Sequence, residues 1–273
     1  MTCRACGQRL GACICDRRVL WKNAVIDSVP VEGNPAARTE IEDALRRLDI
    51  IAADERLESY REEAPFERKG GESFGAAFTV TVTTASGRTE HRSVYAKAIV
   101  SPFPEERARL ETGRLRQLKS WGIRVPRLYG WSRGTIYMEF LPGNRDRLLA
   151  DLQDGCTTRP DRYVRLDELA RFAAILDFHG ATPLDFVLDL AVDAIGHWCY
   201  VDAGFDLGDV PAAAAPNPTK PALASLACHF HGRTLAFLGL RYRHWFNRLV
   251  QADELSIQKG ATHVAKDPGP HQA

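Results

Sequence analysis

The sequence predicts an α+β fold in two lobes, a strand-rich half followed by a helix-rich half, and three observations predict it. Phe78-Thr-Val-Thr-Val-Thr-Thr84 alternates with period two in β-branched residues, and Ser93–Val100 is a second such run beyond a Ser86-Gly87 turn, so the pair makes a hairpin. Pro104 followed by Glu105 and Glu106 opens a helix, because proline suits a first turn and acids suit the positive end of the helix dipole. After Pro142-Gly143, helical patterns dominate around one short strand at Trp198–Asp202. Strands with one helix, then a linker, then helices leave a cleft between two lobes.

The elements are expected in this order. Residues 1–16 hold a cysteine cluster. Residues 17–64 read as a helical connector, broken at Asn34-Pro35 and periodic through Ile41, Ala44, Leu45 and Leu48. Residues 65–141 form the first lobe. It holds the hairpin, the helix from Pro104 through Leu110, Leu115 and Leu118 to Gly122, and two short strands near Arg127–Trp131 and Thr135–Phe140. Residues 142–258 form the second lobe, with a helix at Leu166–Phe178 and one or two over Leu223–Val250. Asp177 and His179 read as helix-end residues, and Trp198, Phe205 and Trp245 as core. Residues 259–273 read as a disordered tail.

Composition narrows the function classes. In 273 residues, 45% hydrophobic content is enough for two packed lobes. Lys plus Arg is 36 and Asp plus Glu is 35, so a net charge of +1 gives no global pull toward nucleic acid or a membrane surface. The local run Arg107, Arg109, Arg114, Arg116 and Lys119 reads as a solvated helix face. No apolar stretch approaches the roughly 18 residues of a membrane span, and the N-terminus lacks the apolar core of a signal peptide. The expected location is cytoplasmic.

Four of the seven cysteines fall in the first 15 residues, as Cys3, Cys6, Cys13 and Cys15 in C-x2-C-x6-C-x-C. Four thiolates can surround a tetrahedral Zn2+, and Gly7 and Gly11 allow the chain to turn around it. Reactive or disulfide-forming thiols are the alternative. The stretch resembles the knuckle that opens the DTW-domain tRNA-modifying proteins. No Asp-Thr-Trp follows, so that activity does not carry over.

Residues 65–250 resemble the protein-kinase-like superfamily, nearest to its aminoglycoside phosphotransferase and lipopolysaccharide-kinase branch. Val94-Tyr-Ala-Lys97 resembles the strand carrying the phosphate-binding lysine, where a cation on a rigid strand neutralises phosphate charge. Glu111, in Glu-x3-Leu-x2-Leu-x3-Gly-Ile-x-Val-Pro, resembles the helix that supplies that lysine's carboxylate partner. The plainer alternatives are an exposed strand lysine and a solvated helix glutamate. Lys69-Gly70-Gly71-Glu-Ser-Phe-Gly75 precedes the hairpin, where glycines would let backbone N–H groups approach a triphosphate, although a simple turn fits as well. Tyr137-Met-Glu139-Phe-Leu141-Pro-Gly143 is similar to the inter-lobe hinge whose backbone pairs with adenine.

The catalytic loop is irregular. Leu169–Asp185 aligns Asp185 with the catalytic aspartate, which accepts the substrate hydroxyl proton; Pro183 and Leu184 replace the usual His and Arg. Tyr200-Val-Asp202-Ala-Gly204 resembles the D-F-G segment, so the resemblance implies Asp202 as a Mg2+ ligand and Asp189 as the second. A rival register from His179-Gly180 moves Asp185 to the metal-binding position and leaves a glycine for the base, which describes a pseudokinase.

The resemblance therefore implies an ATP-dependent phosphotransferase using ATP and Mg2+. Without an A-P-E segment, the acceptor is expected to be a small molecule, a sugar or a glycolipid. The alternatives are a pseudokinase or knuckle module docking a protein or RNA partner, and, last, a nucleic-acid-modifying protein.

Overall fold

The computed structural model describes residues 42–69, 73–99, 101–132, 134–153, 161–204, 207 and 218–264. The cysteine cluster, most of the connector, Gly70, Gly71 and Phe205 lie outside them. The described residues fall into two compact units. One runs to Arg116 and includes Val125–Leu141; the other comprises Gln117–Arg124 and the chain from Pro142 onward.

The first unit is built on one antiparallel sheet. Its strands are β1 (Arg56–Lys69), β2 (Ser73–Thr83), β3 (Thr89–Ile99), β4 (Leu128–Ser132) and β5 (Thr135–Glu139). They lie in the order β1-β2-β3-β5-β4. Alternation along β3 sorts its side chains onto two faces. Val94 and Ala96 join Leu57, Phe78, Val80, Val82 and Tyr137 on one face, covered by Leu45, Leu48, Ile50 and Ile51 from a short helix α1 (42–47) and the turn after it. Tyr95, Lys97 and Ile99 point the other way, to a smaller cluster of Ile99, Ala108, Ile136 and Met138. Ala108 belongs to helix α2 (Pro104–Ser120), which therefore covers the second face.

Helix α2 ends as its sequence dictates. Gly122 adopts φ +87°, Gly122 N–H donates to Lys119 O at 3.0 Å and Ile123 N–H to Leu118 O at 3.0 Å. A glycine that accepts the left-handed conformation satisfies two orphan carbonyls, and buried Leu118 and Ile123 close the end.

The second unit contains α3 (Arg145–Gln153), α4 (Arg162–Phe178), the hairpin β6 (Leu190–Val192) with β7 (Trp198–Tyr200), α5 (Pro221–His229) and α6 (Gly232–Val264). Leu166, Leu169, Ala170, Phe172, Ala173, Ala174 and Leu176 make α4 apolar on nearly every side, and a helix of that kind must be central. Helices α5 and α6 pack on it. Asp177 has no exposed surface and accepts Ala222 N–H at 2.9 Å, Leu223 N–H at 3.2 Å and Tyr242 O–H at 3.0 Å. It caps the N-terminus of α5, whose own N-cap, Lys220, makes no side-chain cap bond. Burial pushes the Asp177 carboxyl up, against these hydrogen bonds.

Three expectations need correction. The connector is not helical to residue 64, because β1 begins at Arg56 and pairs Leu57 with Val82. Its strand pattern is hidden by charged residues, which an edge strand with one wet face tolerates, together with Pro65. The tail does not begin at 259, because α6 continues to Val264. Trp245 is not core: it is partly exposed, and its indole N–H donates to Asp167 at 2.9 Å. By contrast, Trp198 is fully buried.

Two outcomes are expected. Gly143 N–H donates to Val192 O at 2.9 Å, and a Cβ there would lie 2.5 Å from that oxygen and 2.6 Å from Asp193 O. Gly143→Ala should therefore lower unfolding free energy by about 1–3 kcal/mol in urea titration. His179 stacks on Trp121, centroids 4.1 Å apart, and burial depresses its imidazole pKa while Asp253 raises it less. A depressed value means stability held above the ordinary histidine range and lost as pH falls through the folded value. The melting temperature should fall below about pH 6.5, and part of that fall should vanish in His179→Phe.

Candidate functional site

In the first unit, Lys97 Nζ donates to Glu111 Oε1 at 2.6 Å, with the two residues 7% and 4% exposed. The exposed-lysine and solvated-glutamate alternatives do not survive this burial. The pairing follows from two periodicities. Strand alternation turns Lys97 toward α2, and helical spacing places Glu111 one turn beyond Ala108, which packs on the same sheet face. The apolar neighbours Ile136 and Ile99 flank Lys97 across and along the sheet. Two charges removed from water at this distance hold each other, since either alone would be costly.

Gly75 sits directly across from Lys97 in the β2–β3 register. A Cβ on Gly75 would come within 1.9 Å of the Tyr95 hydroxyl oxygen. Tyr95 shares the face of Lys97, two residues earlier, and its ring lies over the glycine. Glycine is needed at 75 because another side chain approaches closely.

The backbone of the expected hinge is partly committed within its own sheet. Glu139 N–H donates to Arg127 O at 2.8 Å, Phe140 N–H to Ser93 O at 3.0 Å, and Glu139 Oε2 accepts Arg127 N–H at 3.2 Å. Leu141 is half-buried and is the last residue of the first unit.

The three aspartates belong to the second unit. The loop between α4 and β6 is pinned by buried Phe186 and Val187, while Leu184 and Leu188 are exposed. Asp185 accepts Ser225 Oγ–H at 2.8 Å through Oδ1, and His229 Nε2 stands 3.0 Å from Oδ1 and 2.8 Å from Oδ2. Asp189 is 6% exposed, and its Oδ2 accepts Tyr200 O–H at 2.8 Å. Its carbonyl accepts both Val201 N–H at 2.9 Å and Asp202 N–H at 3.3 Å, so 189 and 202 sit side by side at the open end of the β6–β7 hairpin. Asp202 Oδ1 accepts Gly204 N–H at 3.3 Å.

The turn of that hairpin is self-organised. Asp193 Oδ1 accepts N–H groups of Ile195 at 3.0 Å and His197 at 2.8 Å. Trp198 Nε1–H donates to Arg165 O at 3.2 Å, which ties the hairpin to α4.

Among the described residues, no group of three or more His, Cys, Asp or Glu side chains is arranged to hold a metal ion. Two adjacent aspartates are nevertheless a donor set of hard oxygens, and Mg2+ usually takes one or two carboxylates and completes its shell with phosphate oxygens and water. Asp189 and Asp202 fit that chemistry. Ser225 and His229 are absent from the sequence expectations. Their i, i+4 spacing on one helix was the available signal, but nothing local points that face at residue 185.

No protein-family model matches this sequence, and no curated protein is significantly similar to it. Among the described residues, no helix is long and apolar enough to cross a membrane.

The buried pair gives a sharp expectation. Glu111→Ala removes one member of a buried ion pair and should cost about 3–5 kcal/mol. Lys97→Met combined with Glu111→Leu should recover most of that loss, to within about 1 kcal/mol of the unaltered protein. Urea unfolding of the three proteins checks it.

Proposed function

We propose that the chain is an ATP-dependent, kinase-like phosphotransferase acting on a hydroxyl of a small molecule, a sugar or a glycolipid. The observation that carries the proposal is the Lys97–Glu111 pair, a cation fixed on a strand by a carboxylate from the following helix. Structural ion pairs are usually placed on the surface, where they cost little. A buried one is better explained by a need for a fixed cation.

Lys97 would neutralise nucleotide phosphate, with Glu111 setting its direction. Asp189 and Asp202 would hold Mg2+, which supplies charge neutralisation on the phosphates. Asp185 would accept the proton of the acceptor hydroxyl. As that oxygen bonds to the γ-phosphorus, the bond from phosphorus to the β–γ bridging oxygen breaks, and ADP leaves with the bonding electrons. Positioning and charge account for most of the rate in such reactions. A zinc knuckle at Cys3, Cys6, Cys13 and Cys15 and a cytosolic, reducing setting belong to the same proposal, since thiolates rather than disulfides bind the metal.

A second possibility is a pseudokinase or binding module that docks a protein or RNA partner. Tyr95 favours it: its ring occupies the space above Gly75, so the glycine is explained without a phosphate.

The test is Mg–ATP binding and turnover. Addition of Mg–ATP should raise the melting temperature, and ADP should form. Asp202→Ala should abolish the Mg2+-dependent part of that rise. Asp185→Asn should leave binding intact and slow ADP formation by about 100-fold or more, as loss of a general base does. Undiminished turnover in both variants would overturn the assignment, and stabilisation without any turnover would favour the pseudokinase.

A further inference from the structure

We propose that His229, with Ser225 one helical turn before it, is a positioning residue that holds the Asp185 carboxylate in the orientation in which it meets the acceptor hydroxyl. The inference rests on the phosphotransferase reading and deepens it.

Helix α5 presents Ser225 and His229 on one face, and both reach Asp185. Oδ1 takes the Ser225 hydroxyl at 2.8 Å and His229 Nε2 at 3.0 Å; Oδ2 takes only His229 Nε2, at 2.8 Å. The single Nε2–H of His229 lies nearer Oδ2 and the Ser225 hydroxyl holds Oδ1, so each oxygen has one main donor and keeps a direction in which an acceptor hydroxyl can deliver its proton. An ionised carboxylate accepts only, so His229 must carry a proton on Nε2. The Asp185 side chain keeps 29% of its surface exposed against 16% for His229, so solvent and substrate reach the aspartate more readily than its partner.

The grip is rigid because α5 is held at both ends. Asp177 caps its first turn from α4, and Gln153 of α3 donates its side-chain N–H to the His229 carbonyl at 2.9 Å. Ser225 is 3% exposed. A tether that served the fold alone would be satisfied by any contact between α5 and the loop. Two donors converging on one carboxylate instead restrict its rotation about the Cβ–Cγ bond, and the orientation of a general base is what its rate contribution depends on.

The experiment measures Mg–ATP turnover as ADP release, with water as the acceptor, alongside the melting temperature. His229→Ala should lower kcat by about 10- to 100-fold with KM for ATP within about twofold, because a base displaced by about 1 Å loses that much. His229→Gln keeps an N–H donor at similar reach and should restore most of kcat. Ser225→Ala removes one hydroxyl and should lower kcat by about 3- to 10-fold, which also serves if His229→Ala fails to fold. Wild-type kcat in both alanine variants, or a His229→Gln variant as slow as His229→Ala, overturns the role of His229 alone. Absence of turnover in the unaltered protein overturns the phosphotransferase reading and this inference with it, and that result is visible without any variant.

Discussion

The first unit is organised around a lysine and a glutamate that leave water together. Charges removed from water hold their place only when each has the other, so the spacing between β3 and α2 is fixed wherever both stay buried. Lys97 and Glu111 impose that spacing at 2.6 Å. The sheet on one side and the helix on the other are then held by a contact with one permitted geometry, unlike the surrounding Ile99, Ala108, Ile136 and Met138, which could repack with small shifts. A polar contact inside an apolar layer is a specificity device as much as a source of stability.

In the second unit, helix α5 links two aspartates with different work. Asp177 is fully buried and spends its carboxylate on two backbone N–H groups and the Tyr242 hydroxyl. Asp185, near the other end of the same helix, meets Ser225 and His229 and stays partly open to solvent. The chemical type is identical, and the surroundings separate a structural cap from a candidate base. Asp189 and Asp202 are brought together by backbone bonds at the open end of the β6–β7 hairpin. Their proximity is a property of register, and shifting the hairpin by one residue would separate them.

Much of the element order was legible because its signals are local. Period-two alternation at Phe78–Thr84, the Pro104-Glu-Glu helix start and the glycine at 122 each act over a few residues. Gly180, with φ +74°, closes α4 by the same pattern of bonds that Gly122 uses for α2. Strand β1 was not legible, since Arg, Glu and Pro on an edge strand carry little strand propensity and its pairing with β2 supplies what the segment lacks. The indole bond of Trp245 to Asp167 likewise depends on a partner distant in the chain.

By itself the sequence determined the residue types and their periodicities: a lysine on an alternating strand, a glutamate on the helix that follows, aspartates at 185, 189 and 202, and glycines where helices stop. Those follow from backbone geometry and propensity, which act between near neighbours. The resemblance implied that Glu111 partners Lys97; tertiary structure alone decided how deeply that pair is buried, that Tyr95 lies over Gly75, and that Ser225 and His229 close on Asp185. Each joins segments whose separation along the chain carries no signal about their distance in space. Desolvation and hydrogen-bond geometry take effect only once folding has brought them together.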